Sequence, residues 1–437
     1  MDRDATLRRT PLPRPRLTHH RHRHRLRGFG YLSRLGPGLV TGASDDDPSG
    51  IGTYSQAGAA FGFGLLWTAI VSLPLAAAVQ ETAARLGLVT GKGLASLIKQ
   101  YLPRWVLWGA VLLVVSANVF NIGADLGAMA ASIRLLAPVP FLPMILLIAV
   151  IIVGLELFIP YRRYSRVLRW LTLSLGAYIV VLFAVRVDWS AVIRHTFVPT
   201  LRGGRAEIAA LIAVLGTTIS PYLFFWQCSE EVEEGADGSG RLEPGPVGRN
   251  HMQAMRVDVL AGMASAVVVM YSIMVASAAT LGAHGVSTVQ TADQAARALR
   301  PIAGDLAGLL FALGIVGTGS LAVPILAGSS AYAVAEMFGW REGLSRTVRE
   351  ARGFYGVIIA SVGVGLTLGF VGVDPIRALY FAAILNGLAA VPLILVMLVL
   401  SSSRRVLGEQ TGGWLSNILL GIALLLMAGL PLAYLLR

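Results

Sequence analysis

Three consecutive carboxylates, Asp45, Asp46 and Asp47, stand directly before a proline in the run Gly36-Pro-Gly-Leu-Val-Thr-Gly-Ala-Ser-Asp-Asp-Asp-Pro-Ser-Gly-Ile-Gly-Thr53. An acid inside a hydrocarbon layer costs roughly 2.5–3.5 kcal/mol on insertion scales, so three in a row call for a cation, water or protons. Successive helical residues are turned by roughly 100°, so the three carboxylates cannot face one point unless the helix is unwound there. Asp47, beside Pro48, is therefore expected to hold the ion, with Asp45 and Asp46 lining a water-filled vestibule that attracts cations. A second interrupted run, Leu215-Gly-Thr-Thr-Ile-Ser-Pro-Tyr222, offers hydroxyls and carbonyls from Thr217, Thr218, Ser220 and Tyr222. Neither run contains Met, Cys or His. Oxygen-only donors suit Mg²⁺, Ca²⁺ or Mn²⁺ better than ions that prefer nitrogen or sulfur. Mg²⁺ keeps several waters, and Ser49, Gly50 and Ser220 are small enough to leave room for them. The bland alternative is that the three acids form an interfacial turn.

The elements that must carry these residues are membrane helices. Of the 437 residues 55% are apolar and only 14% charged, and the charges fall between apolar runs close to the length of about 20 that spans a bilayer. Such runs give eleven candidate spans, near 37–60, 62–84, 105–131, 140–160, 168–187, 206–227, 256–283, 302–338, 354–373, 376–400 and 414–436. With the N-terminus inside, 27 of the 36 basic residues lie on the cytoplasmic side and 9 on the other, a positive-inside bias that fixes the orientation. Pro48 and Pro221 interrupt spans 1 and 6, which correspond if spans 1–5 (about 35–187) and 6–10 (about 206–400) are one five-helix unit repeated with inverted topology. Matched broken helices in two halves are the sequence mark of a transporter's central site. Residues 401–437 then form a cytoplasmic loop and an additional eleventh helix. Residues 1–34, with ten arginines and four histidines, read as a disordered basic cytoplasmic tail that anchors to anionic lipid, and not as a signal or transit peptide.

Weaker polar signals lie elsewhere. Asp125, in Asn118-Val-Phe-Asn-Ile-Gly-Ala-Asp125, is open between a proton relay, a helix–helix hydrogen-bond partner and a pathway lining. Glu81 and Arg85 read as a structural i,i+4 pair, Glu156 as an interfacial partner of Arg162 and Arg163, and Glu336 as a solvated helix end. Asn386 and Gln227 are candidates for interhelical hydrogen bonds or a carbonyl ligand. Glu230, Glu231, Glu233 and Glu234 open the long loop 228–255 and read as a solvated face, with an exit funnel or ion sensor as the sharper alternative. The lone Cys228 excludes a disulfide framework and any multi-thiolate cluster built from this chain, and no phosphate loop or His-Glu-x-x-His signature is present. An enzyme, a nucleic-acid partner and a bound cofactor are therefore not expected.

The chain resembles the natural resistance-associated macrophage proteins, divalent-metal transporters with a LeuT-type fold. The likeness runs from Gly36 to about the end of span 10 and is carried by Gly36-Pro-Gly, Asp47-Pro-Ser-Gly50, Gln56-Ala-Gly58, Phe61-Gly62, Leu65-Leu-Trp67, Leu86-Gly, Thr90-Gly-Lys92 and Leu215-Gly-Thr-Thr218. The family's Asp-Pro-Gly-Asn motif aligns on Asp47 to Gly50, so the aspartate is kept and the asparagine ligand becomes Gly50. Its Met-Pro-His motif aligns on Ser220, Pro221 and Tyr222, without the thioether or the imidazole. Carbonyl ligands three residues before the aspartate and the methionine fall at Ser44 and Thr217. The family's span-3 aspartate matches Asp125, while two glutamates become Ala128 and Asn118, which puts proton coupling in doubt. The pattern looks like the NRAMP-related magnesium transporter branch, with its wider, harder site.

The resemblance thus implies an all-α polytopic protein of bacterial cytoplasmic membranes, with a LeuT-type 5+5 inverted repeat and eleven spans. It is read as a monomer that takes up Mg²⁺ and/or Mn²⁺ by alternating access. The implied ligands are Asp47, Ser44, Gly50, Thr217 and Ser220, and the pathway residues are Asp45, Asp46, Tyr222, Gln227, Asp125, Asn118 and Asn386. The competing readings are a proton-coupled Mn²⁺/Fe²⁺ importer, a sodium-coupled carrier of small organic solutes on the same architecture, and a sensor that binds ions without moving them.

Overall fold

Pro48 lacks the N–H that would continue the first helix and instead sits at the start of a new one, where its fixed φ is pre-set for helix. The chain accordingly forms α1 (Pro37–Asp45) and α2 (Pro48–Phe61), separated at Asp46 and Asp47. The same device recurs at Pro221, which splits α9 (Arg205–Thr218) from α10 (Pro221–Gly235). Between and after these lie α3 (Trp67–Thr90), α4 (Leu94–Tyr101), α5 (Arg104–Ile133), α6 (Phe141–Phe158), α7 (Gly176–Ala184) and α8 (Trp189–Phe197). They are followed by α11 (Arg249–Thr280), α12 (Ala307–Phe338), α13 (Arg352–Leu366), α14 (Pro375–Ser402) and α15 (Trp414–Leu436). These elements belong to a computed structural model that describes residues 37–159, 175–201, 203–235, 247–370, 372 and 374–437. The basic tail 1–34, the partners Arg162 and Arg163 expected for Glu156, and the start of the fifth span lie outside the described residues.

Among the described residues eight helices are long and apolar enough to cross a membrane, or nine if the pair Pro48–Leu65 and Trp67–Thr90, bent by 110°, is one span. The expected eleven is therefore not reached by length alone. The first span is divided into two short halves, and only Gly176–Ala184 of the fifth is described as helix. Exposed apolar side chains such as Trp105, Leu112, Val150, Phe158, Phe183 and Leu425 cover outward faces, as a hydrocarbon solvent requires.

Packing follows the inverted repeat. Helices α1 and α2 rest on α11, and their counterpart α10 rests on α3, the counterpart of α11. Likewise α5 packs on α6 and α12 on α13, while α5 and α12 meet each other across the pseudo-symmetry. The most apolar stretch of the α9–α10 span is 94% buried, whereas that of α15 is 17% buried, so the broken span is central and the last helix is peripheral. Small residues allow the closest approaches: a Cβ at Gly42 would lie 2.2 Å from the Gly262 carbonyl, and one at Gly216 2.2 Å from that of Ala383.

Two surface expectations are corrected. Glu336 is not a solvated end: it is 3% exposed, its Oε2 accepts from the Ser96 N–H at 2.8 Å, and its Oε1 accepts from the Ser229 hydroxyl at 2.9 Å. It ties α12 to α4 and α10, and burial of a carboxylate is tolerable here because both oxygens are hydrogen-bonded. Nor are all the acids after Cys228 solvated, although Glu234 is exposed. Because α10 continues to Gly235, Glu231 is buried and accepts from Gln227, and Glu233 receives the Tyr332 hydroxyl and the Leu344 N–H. Glu81 and Arg85 do form a structural pair, joined by Arg256 on α11 at 2.9 Å, with Arg85 also donating to the Thr411 carbonyl at 2.8 Å.

Candidate functional site

The N-cap of α2 is the local reason Asp47 faces inward. Its backbone is extended (φ −66°, ψ 170°), so the side chain turns back over the first turn and accepts from the Gly50 N–H at 2.8 Å. The same Oδ1 accepts from the Ser49 hydroxyl at 2.5 Å, and Oδ2 accepts from the Asn121 amide of α5 at 2.9 Å. One carboxylate is thereby held by two donors of its own helix and one from another.

The two breaks meet at this point. The hydroxyls of Ser49 and Thr217 are 3.2 Å apart, so the start of α2 touches the end of α9. The Tyr222 hydroxyl, on α10, donates to the Ser44 carbonyl at the end of α1 across 2.9 Å. Tyr54, one turn into α2, has its hydroxyl 3.1 Å from that of Thr218. Gly50 faces the same space: a Cβ there would stand 3.2 Å from the Tyr54 ring, and 3.4 Å from both the Asp45 carbonyl and the Thr217 hydroxyl.

The remaining expected ligands are placed less simply. The Ser220 hydroxyl donates to the carbonyls of Gly216 and Thr217, at 3.0 and 2.7 Å, and so is turned back onto its own helix end. The Ser44 carbonyl already carries the Tyr222 hydroxyl. Asp45 and Asp46 correct the vestibule expectation: they are 1% and 5% exposed, and both Asp45 oxygens and Asp46 Oδ1 are buried without a hydrogen-bond partner. Among the described residues no group of three His, Cys, Asp or Glu side chains converges to hold a metal. The donor set that does converge is one carboxylate, hydroxyls and backbone carbonyls.

Pathway candidates divide by partner. Asn118 binds α12, donating to the Leu326 carbonyl and the Ser330 hydroxyl at 3.0 Å each. Gln227 accepts from Thr41 at 2.5 Å and donates to Glu231, which joins α1 to α10. Asp125 and Asn386 are wholly buried, and every side-chain oxygen and nitrogen of the two lacks a hydrogen-bond partner. Asn121 was not foreseen in the sequence. It lies three residues after Asn118 and four before Asp125, a spacing that puts all three on one polar stripe of α5 but does not show which of them reaches Asp47. A cavity of about 290 Å³, lined by Phe61, Phe63, His195, Thr200 and Glu207, sits by contrast where α2 ends and α9 begins, away from the breaks.

Two interrupted helices in an inverted repeat, facing each other across one carboxylate, place the protein in the class of LeuT-type broken-helix membrane proteins. The chain belongs to the natural resistance-associated macrophage protein-like family, whose model matches residues 38–437 and so runs through the last helix, beyond the stretch over which the motifs carry the likeness. A divalent metal cation transporter, MntH, of Yersinia pestis is 28% identical over 420 residues, covering 93% of this chain and 95% of its own length. The MntH of Caldanaerobacter subterraneus is 24% identical over 389 residues, 87% of each chain. Among solved structures, a manganese transporter of Eremococcus coleocola superposes with a TM-score of 0.71 at 18% identity over 93% of this chain and 87% of that one. Mhp1, a nucleobase-cation-symport-1 family transporter in a closed conformation, superposes with a TM-score of 0.55 at 15% identity over 92% and 91%. These two show the fold.

Proposed function

We propose that this protein is a divalent metal cation transporter of a bacterial cytoplasmic membrane, with its N-terminus in the cytoplasm, that carries Mg²⁺ and/or Mn²⁺ inward by alternating access. The observation that carries the reading is the meeting of the two breaks, with Asp47 held by Ser49 and Gly50, Ser49 touching Thr217, and no sulfur or imidazole among these groups. Asp47 supplies the charge. The Ser44 and Thr217 carbonyls, the Thr217 hydroxyl and waters retained beside Gly50 complete the shell, and Ser220 joins it only if its hydroxyl turns away from the Gly216 and Thr217 carbonyls. That the MntH relatives are divalent metal cation transporters supports the reading. A membrane potential alone drives a divalent ion inward by about 4.6 kcal/mol per 100 mV, at 2.3 per charge, so proton coupling is dispensable. A second reading, a proton-coupled Mn²⁺ importer, draws on Asp125, a buried carboxylate near Asp47 whose oxygens lack partners.

Uptake into proteoliposomes with a lumenal pH indicator tests both. The expected result is Mn²⁺ uptake that is driven by potential, blocked by excess Mg²⁺, reduced at least about tenfold by Asp47→Ala, and not accompanied by lumen acidification. Mn²⁺ uptake indifferent to Mg²⁺, with acidification, selects the second reading.

A further inference from the structure

Of the three donors on Asp47, only Asn121 belongs to a different helix. Ser49 and Gly50 are the first turn of α2 and part of the cap that restarts it, so their release would unravel that turn. Asn121 can leave without that consequence. The orientation of its amide is set by chemistry, since an ionised carboxylate only accepts and the NH2 end must face it. As a result Asn121 Oδ1 is buried and has no hydrogen-bond partner, an arrangement a folded protein tolerates where another ligand is to be met.

We infer that Asn121 is a ligand-exchange residue: when a divalent cation takes Asp47 Oδ2, the amide turns over and its Oδ1 becomes a neutral oxygen ligand of the same ion. The inference rests on the cation-transport reading above and adds a specificity-determining residue to it. The terminal torsion of an asparagine is broad and roughly two-fold, so the exchange needs no backbone movement. It keeps the donor set hard and supplies from α5 an amide oxygen of the kind that Gly50 cannot offer. The ion would then join the start of α2 to α5, two elements that the Asn121–Asp47 hydrogen bond already links.

Calorimetric titration of Mg²⁺ and Mn²⁺ against the purified full chain decides it, using wild type, Asn121→Leu and Asn121→Asp. Leucine removes both donor and acceptor at similar volume; aspartate removes the donor, keeps two oxygens and adds a negative charge. The expected result is a loss of at least about tenfold in affinity for both ions with Asn121→Leu, and retained or tighter affinity with Asn121→Asp. A comparable loss in both variants overturns the exchange and leaves Asn121 as a donor that positions Asp47. Wild-type affinity in Asn121→Leu overturns it as well. Should Asn121→Leu fail to fold, Asn121→Ala, which also removes the amide oxygen without adding charge, takes its place, and wild-type affinity in that variant overturns the exchange. Absence of binding in wild type overturns the transport reading itself, a result distinct from any variant-specific loss.

Discussion

Asp47 is an N-cap before it is anything else. Capping sets its rotamer, and the rotamer sets where its charge lies; a cation bound there would have to compete with donors that already satisfy the carboxylate. Gly50 governs the remaining room. A side chain there starts 3.2–3.4 Å from Tyr54, Thr217 and the Asp45 carbonyl, so anything beyond a methyl group occupies space that hydrating waters would use. Gly50→Asn is expected to lower Mg²⁺ uptake several-fold more than Mn²⁺ uptake, because Mg²⁺ surrenders water reluctantly, and parallel uptake assays of the two ions read that ratio. Equal effects on both ions would remove the argument from room. The kinds of side chain at the two breaks, all oxygen donors, were readable in the sequence. The identity of the third donor was not, since Asn121 lies 74 residues from Asp47 and only the tertiary fold brings them together.

Proline placement determines the breaks, and close glycine contacts determine how tightly the broken elements seat. Gly216 on α9 lies against Ala383 and Gly387 of α14 with no space for a methyl group. Gly216→Ala is expected to cost about 1–3 kcal/mol of stability by overpacking, visible as a lowered thermal midpoint in detergent. The segment after α12 carries a second test. Burial, with Glu336 and Glu233 close by, pushes the Glu342 carboxyl up to about 9. A raised carboxyl binds its proton in the folded state after the unfolded chain has lost it, so its stabilising contribution is complete below the usual carboxylate range and is lost as pH rises toward about 9. Glu342→Gln should therefore be more stable relative to wild type at pH 9 than at pH 5, measured by thermal unfolding at both. A pH-independent difference would contradict the raised value. Glu336 shows why this region misled sequence reasoning: an acid at a helix end normally faces water, and only α4 and α10 packing over it make it a buried acceptor.

For the whole molecule the orientation is a single binary property set by loop charge. Cys228 is the chain's one cysteine and is buried, which gives a low labelling background. With Thr288→Cys and Glu409→Cys, at exposed positions on opposite faces of the proposed topology, a membrane-impermeant maleimide should label the first on intact cells and the second only after the membrane is opened. The reverse pattern would invert the direction of transport. Inverted packing of α1–α2 on α11 and α10 on α3 gives the two breaks a common centre.

The sequence by itself determined the membrane class, the two breaks, the repeat and the oxygen-bearing residue types at the breaks, because hydropathy, proline chemistry and residue type act locally. Only the tertiary structure decided which oxygens converge. It turned Ser220 back on its helix, enclosed Asp45 and Asp46, buried Glu336 and delivered Asn121 to Asp47. Convergence depends on how separate helices pack, and no local pattern encodes a contact between residues that far apart in the chain.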